Sequence, residues 1–500
     1  MNLERAFSMS VNPGYLLNEI AKQLPDKKAV VFKNEEITFL TLNRRSNRLA
    51  HVLSGIGIKS DDKVGMLLTN SPEFVVAYLA ISKVGGIAIP LDMSLKYEDI
   101  EKILDYTEAS ILLCGPGADK GLSRKRPACQ IEGESISLKG EVLEPPESDI
   151  GVERPLEAIA TYLYTSGSTA ERKLVMLTLG NLHCFPKVMR EIYGTTSDEV
   201  YGMLLPMSHV SGPIAIQEMV EHGTELVIFD QLWGRSILRS IEKNKVTFIW
   251  GVRPIYRLII QGADFWKFNT ESLRLLAVMG METSLGFMQE LSKTFPHIAI
   301  VQGYGLTETS GVVIGTPPED AYRKMNSIGR PASFVNVKIV DPQGRDVPRG
   351  QWGEVIIRGP AIMKGYYKDP VATEEKIKEG WLYTGDIGYF DEEGYLYYTG
   401  RKDDMIITSG YNVFPNEVES LIQRHPNVRE VAVIGMPDPI RGEIIKAVVV
   451  PSSEISGEEI LKFCRGNLPG YKCPRMIEFR KDLPKTSTGK IARSLLRRME

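Results

Sequence analysis

The sequence predicts an α/β protein with largely parallel sheets, because helical patterns alternate with short apolar runs. A helix that begins at Ser71-Pro72 precedes the run "IAIPL", and "YEDIEKILDYTEA" precedes "SILLC". Pro suits the first helical position, and Gly85-Gly86 marks the end of the first helix. Such alternation is typical of βαβ units, in which a helix connects two parallel strands.

The same alternation continues towards the middle of the chain. "ILRSIEKNKV" precedes "TFIW", and "SLGFMQELSKTF" precedes "HIAIVQ". Residues 115–155 are rich in Gly, Pro, Ser and charge, and we expect them to form a surface excursion. Ligands bind where parallel strands end, which makes the loops 165–173, 280–283 and 303–308 candidates for a site.

The composition changes after about residue 335, where turn signals such as "DPQGRD" and "DEEGYLYYTGRKDD" separate short strands. This pattern predicts a small β-barrel-like subdomain. A compact α+β unit follows from about residue 403. The predicted fold is therefore a large N-terminal domain, residues 1–402, with two α/β subdomains and the β-barrel-like one, and a small mobile C-terminal domain, residues 403–500.

Composition excludes several classes of protein. The chain has 500 residues and a net charge of −3, which argues against a general nucleic-acid binder. Its 5 cysteines are scattered and form no CxxC pair, as expected for reduced thiols in a cytoplasmic protein. The apolar tract 74–91 is broken by Lys83 and Pro90, so we expect no transmembrane segment. A homodimer is compatible with the sequence.

The stretch "YTSGSTAERK", residues 164–173, offers backbone N–H groups, hydroxyls and a lysine that suit a polyphosphate. By itself it could equally be a Ser/Thr-rich turn. The P-loop pattern is absent, since Ile491 follows Gly489-Lys490, and Glu308 occupies the third glycine position of "GYGLTE". Kinase, GTPase and Rossmann interpretations are therefore disfavoured.

Five motifs in order decide the interpretation. They are "YTSGST…K" (164–173), "QGYGLTE" (302–308), "YTGD" (383–386), "GRKDDMIITSGYNVFPNEVE" (400–419) and "KTSTGKI" (485–491). Together they resemble the adenylate-forming superfamily of acyl-CoA synthetases, luciferases and peptide-synthetase adenylation domains. The resemblance spans nearly the whole chain and is greatest to a stand-alone fatty-acid or aromatic-acid:CoA ligase.

The resemblance implies a reaction in two halves that uses ATP, Mg²⁺ and coenzyme A. A carboxylate attacks the α-phosphate of ATP to give acyl-AMP and pyrophosphate, and the CoA thiol then displaces AMP. Two alternatives remain: an enzyme that loads a carrier protein, and a non-catalytic relative that binds nucleotide or acyl-adenylate.

The resemblance also implies roles for individual residues at the nucleotide. Glu308 would hold Mg²⁺, Thr307 would contact the α-phosphate, Tyr304 would lie against adenine, and Asp386 with Arg401 would bind the ribose. The remaining expected nucleotide contacts are Thr165, Ser166, Gly167, Ser168, Thr169, Lys173, Gly280, Gln302, Gly303 and Gly305.

Lys490 is the residue expected to carry the first half-reaction, because its ammonium can bridge the acid's carboxylate and the α-phosphate. Asp403 matches the hinge about which the small domain rotates between half-reactions. The residues expected to shape the thiol channel or bind CoA are Ser409, Gly410, Tyr411, Arg441 and Lys472.

The acid is expected beneath the nucleotide, with His209 at the mouth of the pocket and Gly303 beside it. Trp250, Met279 and Met281 place bulk where we expect smaller residues in several relatives. Bulk there favours medium-chain, branched or aromatic acids. Arg253 could pair with a second carboxylate, although a structural or solvent-facing role fits it better.

The phosphate loop departs from the family pattern at Ala170, Arg172 and Leu174, where Gly or Pro is usual. Ala restricts the backbone and Arg adds a cation near the pyrophosphate. We expect a working loop with altered mobility.

Overall fold

The computed structural model describes residues 10–122, 125–165, 173–231, 233–261, 265–280, 283–485 and 491–498. The first part of the chain forms α1 Pro13–Gln23, β1 Lys28–Phe32, β2 Glu35–Thr38, α2 Phe39–Gly55, β3 Lys63–Leu67, α3 Pro72–Lys83, β4 Ile87–Pro90, α4 Tyr97–Tyr106, β5 Ile111–Cys114, β6 Ala128–Glu132, β7 Ser135–Leu138, β8 Glu141–Val142 and β9 Ile159–Tyr164. The second part forms β10 Leu174–Thr178, α5 Leu179–Tyr193, β11 Val200–Met203, α6 Ser211–His222, β12 Glu225–Ile228, α7 Gly234–Asn244, β13 Phe248–Gly251, α8 Arg253–Gln261, β14 Leu275–Met279, α9 Leu285–Thr294, β15 Ala299–Leu306, β16 Gly311–Gly315 and β17 Arg330–Pro331.

The remaining elements build two smaller units. The first unit and its connections comprise β18 Asn336–Val340, β19 Gly353–Arg358, β20 Gly365–Tyr366, α10 Pro370–Lys376, β21 Ile377–Lys378, β22 Trp381–Phe390 and β23 Leu396–Arg401. The second comprises β24 Ile406–Thr408, β25 Tyr411–Val413, α11 Pro415–Ile422, β26 Val428–Asp438, β27 Gly442–Pro451, α12 Gly457–Arg465, β28 Met476–Phe479 and α13 Arg493–Arg498.

Two nine-stranded sheets confirm the predicted α/β architecture. The first has the order β17-β16-β15-β14-β13-β11-β12-β1-β2 and is parallel from β15 to β1. The second has the order β20-β10-β9-β4-β3-β5-β6-β7-β8 and is parallel from β9 to β6. The antiparallel strands lie at the edges of both sheets.

A shared core joins the two sheets. It contains apolar residues of both sheets and of α1, α2, α3, α5 and α6. Helices α7, α8 and α9 pack on a second core at the other face of the first sheet. Helix α3 is buried almost all round, from Phe74 to Ile81, as expected for a helix enclosed between layers.

The smaller units also agree with the predicted pattern. Strands β18, β19, β21, β22 and β23 form a five-stranded antiparallel sheet, and β24 to β28 form the C-terminal sheet with α11, α12 and α13. Among the described residues, no helix is both long and apolar enough to cross a membrane.

The expectation of a surface excursion over residues 115–155 was wrong in part. Strand β6 pairs in parallel with β5, and β7 and β8 extend the same sheet by hairpins. The physical reason is that β5 would otherwise present an unpaired backbone edge. Cys129 and Ile131 are buried and alternate with partly exposed residues, a short two-residue period that the surrounding polar residues obscured.

Candidate active site

The carboxyl ends of the parallel strands in the first sheet meet at one edge. Trp250 at the end of β13 lies level with Ala277 of β14, and Met279 lies level with Gly303 of β15. The turn that carries His209 follows β11, the neighbour of β13. The predicted pocket residues Trp250, Met279 and Gly303 thus lie on neighbouring strands at this edge. The prediction of a loop at 303–308 was wrong in its first part, because β15 continues to Leu306.

Asp386 is the centre of a buried polar cluster. Its carboxylate accepts a hydrogen bond from the Tyr304 hydroxyl at 2.5 Å and one from the Arg401 guanidinium at 2.9 Å. Asp386 is 2% exposed, and burial raises its pKa while Arg401 counteracts the rise. The carboxylate is therefore held by charge-assisted hydrogen bonds in a fixed orientation.

The backbone explains why these groups meet. Asp386 of β22 is paired with Arg401 of β23 in the antiparallel ladder. Gly385 has a φ of +75°, and a Cβ there would lie 3.1 Å from a guanidinium nitrogen of Arg401. Glycine is favoured at this position because a side chain would strain the backbone at this φ and would crowd the Arg401 guanidinium.

Tyr304 is brought to Asp386, and its adenine contact stays a prediction. The side chain is 9% exposed, and burial together with Asp386 raises its pKa, so the phenol remains a proton donor. Sequence reasoning assigned Tyr304 to the base because of its aromatic ring. The hydroxyl contact with a residue 82 positions away could not be read from the motif.

Glu308 belongs to a second group of contacts. It lies in the 3₁₀ turn Thr307–Thr309, and its Oε1 accepts a hydrogen bond from the Tyr366 hydroxyl at 2.9 Å. The Lys173 ammonium stands 5.0 Å from the centre of the Tyr366 ring. The structure thus links the predicted phosphate lysine and the predicted magnesium carboxylate through Tyr366, which sequence reasoning missed.

The segment that carries Tyr366 is fixed to the same turn. Met363 donates a backbone hydrogen bond to the Glu308 carbonyl at 2.9 Å, and the Ser310 hydroxyl donates to the Ala361 carbonyl at 3.0 Å. Asn181 of α5 donates to the carbonyls of Pro360 and Ile362. These bonds hold the segment against the site.

The phosphate loop is described only at its base. Thr165 donates a backbone hydrogen bond to the Lys173 carbonyl at 3.0 Å, where β9 and β10 form an antiparallel pair. Leu174 is the first residue of β10 and is 2% exposed. Its departure from the family pattern therefore has a structural reason, because it packs in a strand. The predictions for Ser166, Gly167, Ser168, Thr169, Ala170 and Arg172 concern residues outside the described part of the chain.

Aromatic side chains surround Trp250 in the predicted acid pocket. The Trp250 ring centre is 4.8 Å from that of Tyr201, 5.6 Å from that of Phe248 and 5.7 Å from that of Phe185. The indole N–H is buried and has no hydrogen-bond partner among the described residues. The predicted pocket residue Trp250 therefore lies in a bulky aromatic cluster that contains one unsatisfied donor.

The other predicted pocket residues lie around Gly303. A Cβ at Gly303 would come within 2.7 Å of the Tyr193 hydroxyl and 3.1 Å of the Met279 methyl carbon, so the space is filled. Gly280 follows Met279 with a φ of +75°. Arg253 is the first residue of α8. Met281 lies outside the described residues.

The neighbours of Gly303 in β15 have structural roles. Gln302 is buried, and its amide donates to the Met325 carbonyl at 2.9 Å. A Cβ at Gly305 would lie 1.8 Å from the Gly311 carbonyl oxygen, where β15 and β16 change register. Both residues fix the conformation of β15, which contains Tyr304 and leads into the turn that contains Glu308.

Asn70 holds the turn that carries His209, a contact that sequence reasoning missed. Its side chain donates to the Leu205 carbonyl and accepts from the Met207 backbone, each at 2.8 Å. Asn70 follows β3 of the second sheet, so the contact joins the two sheets at the site. His209 is half-buried in the turn before α6.

The predicted CoA residues come together on the C-terminal unit. Ser409 donates a backbone hydrogen bond to the Arg441 carbonyl at 2.8 Å. Tyr411 is exposed and stacks on Tyr471 with ring centres 4.4 Å apart. Lys472 forms an ion pair with Glu417 at 2.5 Å. Gly410, with a φ of +83°, makes the turn between β24 and β25.

Lys490 lies outside the described residues, whereas the residues on either side of 486–490 are described. Lys485 and Ile491 form an isolated antiparallel bridge, and Lys485 pairs with Glu430 at 2.8 Å.

Asp403 is exposed in a 3₁₀ turn between the two smaller units. The preceding residue, Lys402, pairs with Glu354 of β19 at 3.0 Å. The following residue, Asp404, pairs with Arg493 of α13 at 3.6 Å. The residues on the two sides of Asp403 are thus tied to different units.

The donor set at Glu308 fits Mg²⁺. Among the described side chains, no group of three or more His, Cys, Asp or Glu could hold a metal by itself. Mg²⁺ binds one or two carboxylates together with substrate phosphates and water, so a dedicated cage is not needed. Only Oε1 of Glu308 has a hydrogen-bond partner among the described residues.

The residues predicted to bind the nucleotide thus meet beside the strand that carries Gly303 of the predicted acid pocket. The family model for "AMP-binding enzyme" matches residues 17–367, and that for "AMP-binding enzyme C-terminal domain" matches residues 417–490. The chain belongs to the AMP-binding enzyme family.

Relatives are similar along their full length. A feruloyl-CoA synthase of Amycolatopsis sp is 32% identical, with 96% of this chain and 97% of the relative covered. The o-succinylbenzoate coenzyme A synthetase of Bacillus subtilis, solved with ATP and magnesium ion, gives a TM-score of 0.88 at 28% identity, with 96% and 98% covered. An anthranilate CoA ligase in complex with anthranoyl-AMP gives a TM-score of 0.90 at 26% identity, with 100% and 99% covered.

These similarities confirm the predicted family, the fold and the class of reaction. The chain is an AMP-forming acid–CoA ligase. The predicted cofactors, ATP, Mg²⁺ and coenzyme A, are confirmed with that class.

Proposed function

We propose that this ligase activates a compact aromatic carboxylic acid. The observation that carries the proposal is the aromatic cluster in which Phe185, Tyr201 and Phe248 pack around the predicted pocket residue Trp250. Flat rings pack well against aromatic side chains in offset or edge-to-face geometry. The feruloyl and anthranilate ligases among the similar proteins support the same substrate class.

A polar substituent on the acid would fit this pocket better than a plain hydrocarbon. The Trp250 N–H is buried without a partner among the described residues, and an unsatisfied buried donor costs free energy. An acceptor on the ring of the acid would satisfy it. A long alkyl chain would leave it unsatisfied and would meet the bulk of Met279 and Tyr193.

In the first half-reaction the residues align the carboxylate with the α-phosphate. Asp386 and Arg401 bind the ribose, Thr307 contacts the α-phosphate, and Lys173 with residues 165–169 holds the β- and γ-phosphates. Lys490 reduces the repulsion between the two anions and stabilises the charge that forms during attack. His209 closes the mouth of the acid pocket.

Glu308 is the proposed carboxylate ligand of Mg²⁺. When bound, Mg²⁺ neutralises phosphate charge. Tyr366 donates to Glu308 and so fixes the orientation of the carboxylate. Loss of a hydrogen bond to a metal-binding carboxylate commonly lowers metal affinity about 10- to 100-fold.

The second half-reaction requires the small domain to turn about Asp403, between the proposed domains 1–402 and 403–500. The ion pairs of Lys402 and Asp404 support this hinge, because they fix each neighbour to a different unit. After rotation, Ser409, Gly410 and Tyr411 would replace Lys490 at the nucleotide, with Arg441 and Lys472 towards the CoA phosphates.

A cytoplasmic location and a homodimer belong to the same proposal. The cysteines Cys114, Cys129, Cys184, Cys464 and Cys473 are free, which suits a reducing compartment. Size-exclusion chromatography with light scattering would test the dimer.

An acid panel tests the proposed function. ATP–pyrophosphate exchange and CoA consumption are measured in parallel with substituted benzoates, hydroxycinnamates, a branched short acid and octanoate. We expect the substituted aromatic acids to give the highest kcat/KM. Higher kcat/KM for octanoate than for every aromatic acid would contradict the proposal, and exchange without CoA consumption would indicate a carrier protein as the acceptor.

A further inference from the structure

Lys376 is a cation beside the nucleotide site that none of the five motifs contains. It is the last residue of α10 and is half-buried. Its ammonium donates a hydrogen bond to the Thr384 carbonyl at 3.0 Å. The Arg401 guanidinium donates to the same carbonyl oxygen at 3.0 Å. Two cations therefore converge on one backbone acceptor.

The Thr384 carbonyl is two residues before Asp386. The Thr384 hydroxyl accepts a hydrogen bond from the Asp386 backbone at 3.0 Å and donates to the Val355 carbonyl at 2.6 Å. The part of β22 from Thr384 to Asp386 is thus fixed through both the carbonyl and the hydroxyl of Thr384. Without Lys376, Arg401 would be the only one of these two cations that donates to the carbonyl. Arg401 also donates to the Asp386 carboxylate at 2.9 Å.

The Lys376 ammonium interacts with several carboxylates at longer range and not with a single one in an ion pair. Within the described parts of the chain, no carboxylate lies within 4 Å of its ammonium. Burial lowers its pKa, and the fields of Glu308, Asp386 and Glu354 partly oppose that change. In return, Lys376 is among the groups that lower the pKa of the buried Asp386 carboxyl. The ammonium therefore favours the ionised form of Asp386.

Lys378 provides a matched comparison two residues away. It is exposed, and its ammonium stands 5.1 Å from the centre of the Tyr383 ring. Within the described part of the chain, no hydrogen bond or ion pair joins it to Thr384 or Asp386, so its removal changes the local net charge equally but leaves the contacts of Thr384 in place.

We propose that Lys376 is a positioning residue for ribose recognition: together with Arg401 it holds the Thr384 carbonyl and so keeps Asp386 aligned towards the ribose hydroxyls. The proposal rests on the proposed ribose role of Asp386. Lys376 acts through Asp386, so its effect is greatest for nucleotides that carry both hydroxyls.

The test compares ATP with 3′-deoxy-ATP in acid-dependent ATP–pyrophosphate exchange. The ratio of the two kcat/KM values is measured for the wild-type enzyme, Lys376→Met, Lys378→Met and Asp386→Asn. We expect the preference for ATP to fall about tenfold in Lys376→Met, mainly through KM, which corresponds to about 1.4 kcal/mol. Asp386→Asn should fall at least as far, and Lys378→Met should keep the wild-type ratio.

Binding without turnover supplies a second readout. Titration calorimetry with AMP and 3′-deoxy-AMP should show the same loss of discrimination in Lys376→Met. Lys376→Arg should restore most of it, because the guanidinium keeps the charge and can donate to the same carbonyl. Should Lys376→Met fail to fold, Lys376→Gln is measured in its place.

The outcomes separate the two proposals. A wild-type ratio in Lys376→Met, with a reduced ratio in Asp386→Asn, overturns the role of Lys376 alone. A wild-type ratio in Asp386→Asn overturns the ribose role of Asp386 and, with it, the role of Lys376. An equal fall in Lys378→Met would show a general charge effect and would also overturn the proposal.

Discussion

The nucleotide end and the acid end of the site are built by different means. At the nucleotide end, polar side chains are fixed by direct contacts: Tyr304 and Arg401 on Asp386, and Tyr366 on Glu308. At the acid end, Trp250 and its aromatic neighbours are held by packing, and the indole N–H has no partner among the described residues. In the proposed function, polar contacts orient the groups that bind the nucleotide, which is common to all acids, while packing around Trp250 selects the acid.

The largest expected effect is that of Lys490→Ala. We expect acid-dependent ATP–pyrophosphate exchange to fall about 10²- to 10³-fold with every acid, because one electrostatic stabiliser of the first half-reaction is lost. The reaction of supplied acyl-AMP with CoA should keep most of its rate. Lys481→Ala, an exposed lysine near the same loop, serves as the control and should be active. Equal loss of both halves would contradict the domain rotation.

Tyr366→Phe should have the next largest effect. The ring under Lys173 remains, but the hydrogen bond to Glu308 is lost. We expect the apparent affinity for Mg²⁺ to fall about tenfold, measured as the Mg²⁺ dependence of exchange, with the ranking of acids unchanged. The adjacent Tyr367→Phe is the control. An unchanged Mg²⁺ dependence in Tyr366→Phe would indicate that Tyr366 only packs against its neighbours.

Trp250→Phe should change the acid end alone. The smaller ring enlarges the pocket and removes the unsatisfied N–H, so kcat/KM should shift about tenfold towards bulkier and less polar acids. The KM for ATP should stay within about twofold of the wild-type value, because Trp250 makes none of the contacts at Asp386 or Glu308. Trp233→Phe, at an exposed position, controls for loss of a tryptophan. A uniform loss for all acids would show that Trp250 supports the fold instead.

The smallest effect is expected from the double change Ala170→Gly and Arg172→Pro in the phosphate loop. It should shift the apparent constants for ATP or pyrophosphate a few-fold, because it restores the backbone freedom of the family pattern. Leu174 is left unchanged, since it packs in β10. Constants equal to those of the wild-type enzyme would mean that the departures at 170 and 172 are neutral.

Sequence reasoning found the residues whose spacing is local. The helices and strands were predicted from hydrophobic period, and each of the five motifs is a run of residues close together in the sequence. It missed residues that act across long separations. Tyr366 reaches Glu308 across 58 positions, and Asn70 reaches Met207 across 137. Neither has a local pattern that distinguishes it from an ordinary surface Tyr or Asn.

The contact of Lys376 is a further one that could not be predicted from the sequence. In the sequence, Lys376 and Lys378 are equivalent lysines in "EEKIKEG". Helix α10 ends at the first and β21 contains the second, so only Lys376 is directed to the Thr384 carbonyl. One lysine ends a helix and the other lies in a strand, and local propensity does not locate such a boundary to within one or two residues.

The sequence by itself determined the class of fold, the family and the order of the motif loops, because hydrophobic period and short motifs are local properties. The tertiary structure decided which groups are joined by hydrogen bonds at the site: Tyr304 with Asp386, Tyr366 with Glu308, and Lys376 with the Thr384 carbonyl. These pairs depend on how sheets and turns are brought together, since hydrogen bonds require contact within about 3 Å. Such proximity is a property of the folded chain.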